Sequence, residues 1–236
     1  MTTTGTSTFN LDLNNLVEEA FERCGLELRT GYDMRTARRS LNLLTIEWAN
    51  RGINLWTIEQ GQIAMVQGQI AYDLPIDTID LLDHVIRTQT GVEQTDINIS
   101  RISVDTYSTI PNKNAQGRPI QVWINRQSGA NEPGTGINYP QINVWPAPDL
   151  SNFYTFVYWR LKRIQDAGNG VNTQDIPFRM LPCLVAGLAY YLAMKLPEAL
   201  PRVEMLKLAY EEQWNLASSE DREKASLRIA PRVLFY

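Results

Sequence analysis

The chain has one histidine and two cysteines among its 236 residues. A single histidine leaves one place for an imidazole base, and no serine or cysteine stands in a recognisable nucleophile motif around which a triad forms. One His with two distant Cys does not make a zinc site, which needs several such ligands at close spacing. No uninterrupted apolar run approaches the length that spans a bilayer. The opening MTTTGTSTFN lacks the basic-then-apolar pattern of a signal peptide. Glycines at 134–136 and 168–170 are not followed by Lys-Ser/Thr and a helix, so there is no Walker-type loop. An excess of positive charge is missing too: the net charge of -4 gives no global nucleic-acid signature. These absences point to a soluble protein folded in a cytoplasm, with no membrane partner, no metal and no cofactor.

What is present is a contrast in texture. Two amphipathic helical pairs bracket a middle that reads as short strands. Asn10 or Asp12 is placed to cap a first helix with Leu13, Leu16, Val17, Ala20, Phe21 and Cys24 on one stripe, stopped by Gly25. Asp33 is read as the cap of a second helix, with Met34, Ala37, Leu41, Leu44, Trp48 and Ala49 on its stripe and Gly52 at its end. From Trp56 onward, runs rich in Ile, Val, Tyr and Trp alternate with Gly, Asn, Pro and Asp. The candidate strands are 61–66, 70–74, 83–88, 97–99, 120–125, 141–144 and 153–161. Val66 to Ile70 reads as a hairpin turn, Asp105 to Ser108 as a short helical turn, and Ala130 to Tyr139 as the longest loop. Helix resumes near Ile176-Pro177 with Leu184, Val185, Leu188, Tyr191 and Leu192 apolar nearly all round, the mark of a central core helix. Pro197 breaks it. Pro201 opens a last helix with Val203, Leu206, Tyr210, Trp214 and Ala217 on one face.

The expected fold class is therefore α+β: a helical bundle built from N- and C-terminal helix pairs, an inserted antiparallel β-rich domain and an extended C-terminal tail. The expected divisions are an arm at 1–9, a helical body from 10–56 and 171–223, a β-rich insertion at 57–170 and a docking tail at 224–236. Cys24 and Cys183 both fall on apolar helix faces, where a reduced thiol acts as a small hydrophobe. A disulfide tying the two helical pairs together is the sharper alternative.

Three groups of residues are candidates for chemistry. His84 lies in a predicted strand, and its plainer reading is an ordinary structural histidine. Asp77, Asp80 and Asp83, and Glu18, Glu19 and Glu22, supply carboxylates close in sequence. Such pairs hydrolyse glycosidic bonds when they flank a cleft at the right separation, whereas solvated faces explain both clusters without chemistry. Arg35, Arg38 and Arg39 project from the second helix, and Arg160, Lys162 and Arg163 end the last strand beside Tyr158 and Trp159. Arginines grouped on one surface suit phosphate. They also suit pairing across subunits, where the planar guanidinium fork is an advantage. The plainest alternative is a solvated helix face neutralised by Glu from a neighbouring element.

Beyond these features, three stretches carry a resemblance. They are LNNLVEEAFERCGLE with DMRTARRSLNLLTIEWANRGINLWTIEQG; GQIAYDLPIDTIDLLDHVIR with RISVDTYSTIPNKNAQGRPIQVWINR and INVWPAPD; and YWRLKRIQDAGNG with DIPFRMLPCLVAGLAYYLAMKLPEA. In order and combination they resemble the head-to-tail adaptor (connector) proteins of tailed bacteriophages, closest to the tail tubular protein A or packaged-DNA-stabilisation type of short-tailed phages. That resemblance implies a structural, non-enzymatic virion protein of the neck, made in the host cytoplasm. It would form a ring, usually of twelve copies, between the portal protein and the tail tube or nozzle protein, sealing packaged double-stranded DNA and providing its ejection channel. A mildly acidic chain repeated around a ring avoids gripping the passing phosphates. The segment KASLRIAPRVLFY, with Arg228, Arg232, Leu234, Phe235 and Tyr236, joins cations to apolar anchors and is the expected portal-docking tail. Arg35, Arg38 and Arg39 are the expected intersubunit or DNA-facing residues. Two alternatives from other classes remain at this stage: a virion-associated carboxylate-based cell-wall hydrolase and a DNA-binding module.

Overall fold

The computed structural model describes residues 3–89, 91–132, 134 and 136–222. The chain divides into two compact units, one of Met1–Trp56 with Ile164–Tyr236 and the other of Thr57–Arg163. The fold is α+β, with antiparallel sheets and helices from both halves of the sequence.

Asp12 caps α1 (Leu13–Cys24) by accepting the Asn15 N–H at 2.8 Å, which satisfies one of the first turn's orphan donors. All six residues of its apolar stripe are buried. Gly25 closes it at φ +76°, a left-handed conformation that glycine adopts without a Cβ clash. For α2 (Gly31–Arg51) the cap is Thr30 rather than Asp33. Thr30 Oγ1 accepts the Asp33 N–H, while the Asp33 carboxylate accepts the Thr30 N–H at 3.0 Å. The Thr-x-x-Asp spacing makes a reciprocal capping box, and it puts the acid in the first turn where the helix dipole favours it.

The β unit holds β1 (Ile58–Ala64), β2 (Ala71–Asp73), β3 (Thr78–Thr88), β4 (Thr95–Asn98), β5 (Ser100–Arg101), a single helical turn α3 (Val104–Ser108), β6 (Gln121–Asn125), β7 (Asn131–Glu132), β8 (Gly136–Ile137), β9 (Gln141–Trp145) and β10 (Tyr154–Lys162). One sheet runs β1-β10-β3-β4 and another β2-β9-β6-β5, with β7 and β8 paired in a small ribbon. The β5–β6 pair is parallel and the other pairings between these strands are antiparallel. Leu81, Ile86, Phe156 and Tyr158 from the first sheet share one core with Tyr72, Val122, Ile124, Ile142 and Val144 from the second.

Two sequence expectations change here. Val66 to Ile70 does not close a hairpin, because β1 pairs with β10 and β2 with β9. The turn instead carries the chain from one sheet to the other, held where the Gly68 N–H meets the Pro148 carbonyl at 2.9 Å. The stretch Ala130 to Tyr139 is not structureless but contains the β7–β8 ribbon. The glycine within β1 also has a reason: Gly61 lies opposite Tyr158, and a Cβ there would run into the tyrosine ring.

Back in the helical unit, a 3-10 turn at Phe178–Met180 leads into α4 (Leu181–Ala193). Pro182 stands in its first turn, where a missing N–H costs no hydrogen bond. A second 3-10 segment, Pro197–Arg202, leads to α5 (Val203–Glu220). α4 packs against α1, α2 and α5 and is buried nearly all round. Contact is tight at Gly187, where a Cβ would stand 2.9 Å from Leu44 and from Tyr210. Ile164 and Ala167 belong to this core, so the chain rejoins the helical unit soon after β10. Cys24 and Cys183 are both free and buried. Burial pushes the Cys24 thiol up to about 11 and the Cys183 thiol up to about 12. Both act as core hydrophobes.

Candidate functional site

Asp33 holds Thr30 in the capping box and pairs with none of the arginines that follow it. Arg35, Arg38 and Arg39 make no ion pair with any carboxylate among the described residues, so the expected neutralising Glu is not found. The structure does bring the three together. With Tyr32 and Asn42 they line a cleft of about 460 Å³ along α2. Tyr32 and Arg39 also line an adjoining groove of about 360 Å³ with Leu43, Lys195 and Leu196.

The three arginines differ. Arg38 is half-buried and donates to the Ala167 carbonyl at 3.3 Å, while the Ala167 N–H donates to Asn42 at 2.8 Å. Arg38 and Asn42 thus clamp the backbone on both sides of Ala167 onto α2, a structural role. Arg39 reaches Thr36 at 3.5 Å, the outer limit of a hydrogen bond. Arg35 is exposed. Like charges three and four residues apart on a helix cost a few tenths of a kcal/mol each, so this face carries a small penalty that an acidic partner would relieve. Sequence reasoning missed Tyr32, Asn42 and Lys195. The first two sit one helical turn to either side of the arginine group, and that spacing was the available signal.

In the other basic group, Arg160 is already committed within the fold. Arg160 is buried and paired with Glu59 at 2.6 Å and with Asp77 at 2.5 Å, and it also donates to Thr78. It continues the buried alternation of Tyr154, Phe156 and Tyr158 along β10, and beside it the register shifts by one residue as Leu82 of β3 is passed over. Buried and doubly paired, it is not available to phosphate. The aspartates have structural partners as well: Asp80 pairs with Arg101 at 2.9 Å and with Arg126 at 3.4 Å, and Asp83 accepts the His84 N–H. Glu19 pairs with Arg23.

His84 lies in β3, 8% exposed, stacked on Phe156 with ring centres 5.8 Å apart. Burial holds its imidazole below the usual histidine range, opposed by Asp83 and assisted by Arg101. A second polar cluster joins α2, α4 and α5. Arg51 lies over the Trp214 ring at 3.8 Å and pairs with Glu47 and Glu211. Glu47 accepts the Tyr191 hydroxyl, and Trp48 donates to Tyr210. With its members paired to one another, it reads as helix packing rather than an open site. No group of His, Cys, Asp and Glu able to hold a metal ion occurs among the described residues, and no helix there is long and apolar enough to cross a membrane. Arg228, Arg232, Leu234, Phe235 and Tyr236 lie outside the described residues.

Comparison with protein families decides the chain's kinship: the model described as SU10 adaptor protein matches residues 14–232. The chain belongs to the SU10 adaptor protein family. This is a phage adaptor family, and membership supports a structural adaptor role. No curated protein matches the chain.

Proposed function

We infer that this SU10-family chain is a head-to-tail adaptor of the virion neck, forming a ring between the portal protein and the tail tube or nozzle. The reading extends to the tail tubular protein A type, to a ring of twelve copies, and to a channel that seals packaged DNA and later passes it. The observation that carries it is the family match across almost the whole chain. The cationic α2 face supports it, since a ring needs complementary side-to-side surfaces. In this reading Arg35 and Arg39 face a neighbouring copy. The segment at 224–236 docks on the portal through Arg228, Arg232 and the Leu234-Phe235-Tyr236 end.

The test is assembly. Purified protein mixed with portal rings should give a discrete ring complex by electron microscopy, and removal of residues 224–236 should weaken docking. Equal docking by the truncated chain would remove the tail from the proposal; absence of any complex with the intact chain would remove the adaptor-ring reading. The α2 arginines, without a carboxylate partner among the described residues, also favour a second reading, a DNA-binding module. It requires steeply salt-dependent DNA binding by the isolated protein, and a flat response would end it.

A further inference from the structure

A ring of identical copies needs two different surfaces on each copy that fit one another, and the helical unit carries such a pair. On α2 the side turned from the core runs Tyr32, Arg35, Arg39, Leu43 and Ile46, at spacings of three, four, four and three. That is one stripe of a helix. Tyr32, Leu43 and Ile46 are exposed. On α5 the core side holds Leu206, Tyr210, Trp214 and Ala217, and the opposite side runs Met205, Leu208, Glu212 and Leu216, at spacings of three, four and four. Its three apolar members are each more than half exposed, and Glu212 makes no ion pair among the described residues.

Single exposed apolar residues are ordinary. A second apolar stripe at helical period on the solvent side of each of two helices marks a surface that packs on something. Within one copy these stripes do not meet. α2 and α5 touch through other residues, with Trp48 and Arg51 against Tyr210, Glu211 and Trp214. The stripes also match. Laid antiparallel with Ile46 opposite Met205, Leu43 falls opposite Leu208 and Arg39 opposite Glu212, and the aliphatic stem of Arg35 lies beside Leu216. The charges are complementary, which fixes register and rejects the reverse pairing. The 224–236 segment carries Lys224, Arg228 and Arg232 and no acid, the wrong sign for the α2 cleft.

We propose that the outer stripe of α2 on one copy receives the outer stripe of α5 of a second copy, antiparallel, with Arg39 paired to Glu212. The inference rests on the ring reading above. Because the two patches differ, the contact repeats head to tail and closes when the rotation per copy allows. One helix pair covers less than the roughly 800 Å² per partner of a standard stable interface, so it forms where copies are already held side by side.

The test is directed cross-linking on assembled portal rings, using Leu43→Cys and Leu208→Cys in the same chain. The native thiols are buried and do not compete. Oxidation should give a ladder of multimers on a non-reducing gel, and neither single variant should give one. Ile46→Cys with Met205→Cys should give the same ladder, whereas Tyr32→Cys with Met205→Cys, at opposite ends of the register, should not. Adding Arg39→Glu to the Leu43→Cys, Leu208→Cys chain should abolish the ladder, and adding Glu212→Arg to that should restore it. Rings visible by microscopy with no ladder overturn this surface and leave the ring reading standing. No rings from the wild-type chain overturn the ring reading itself. A ladder that survives Arg39→Glu overturns the Arg39–Glu212 pairing.

Discussion

Arginines of the β unit and arginines along the outer side of α2 stand in different company. In the β unit, Arg87 makes a two-pronged pair with Asp96, Arg101 and Arg126 share Asp80, and Arg160 sits between Glu59 and Asp77. In the helical unit, Arg23 and Arg51 are similarly paired and Arg38 is tied to a backbone carbonyl, yet Arg35 and Arg39 have no carboxylate partner among the described residues. An arginine that already holds its acid stabilises its own unit. One without an acid remains available to another molecule. The difference separates cations that fasten the fold from cations that can serve assembly, and composition alone draws no such line.

Breaking the helical core should give the largest effect. Trp48 is fully buried, edge-on to Trp214 and bonded to Tyr210, so Trp48→Ala should cost about 3–5 kcal/mol. A urea titration followed by helical circular dichroism reads this, and a loss below about 1 kcal/mol would show that the helices do not depend on that contact. Arg160→Ala should come next. Its partner side chains, Glu59 and Asp77, are 50% and 41% exposed, so water compensates part of the loss. The expected cost is about 1–3 kcal/mol by the same titration, below that of a fully buried pair.

His84 gives a pH-dependent test. Its folded pKa is lowered from 6.5 mainly by burial, so the unfolded chain binds more protons between the two values. Stability is therefore full above 6.5 and declines as pH falls below it, by at most about 1.4 kcal/mol per pH unit. His84→Phe should flatten that decline between pH 7.5 and 5.5, and equal slopes in variant and wild type would assign the effect elsewhere. The smallest effect sharpens the arginine comparison most. Arg35→Ala should change stability by no more than about 0.5 kcal/mol, with relief of like-charge repulsion as its main contribution. A loss above about 1 kcal/mol in a thermal melt would mean that Arg35 fastens the fold as Arg160 does.

Much of the helical unit was legible in the sequence. The stripes of α1 and α5 could be read because a helical period repeats within a dozen residues, and the burial of Leu16, Val17, Phe21, Tyr210 and Trp214 follows that period. Strand positions were legible near the middle of each run, where β-branched and aromatic residues gather, and less so at the ends, as β3 beginning at Thr78 shows. The capping box was present in the letters Thr30 and Asp33, with the roles distributed differently from the first reading. Arg160 beside Asp77 was not legible, because the pair is separated by 83 positions and depends on how β3 and β10 come to pair.

What the sequence by itself determined is local: helix periods, caps, glycine stops, the placing of two thiols on apolar faces, and the order of blocks that carries the family resemblance. These depend on neighbours within a turn or two of chain. Only the tertiary structure decided that β1 and β2 enter different sheets, that Asp77 and Asp80 are held by arginines, and that Arg35 and Arg39 meet no acid among the described residues. Each of those depends on which distant segment arrives alongside, and a pairing between remote segments leaves no period in the chain.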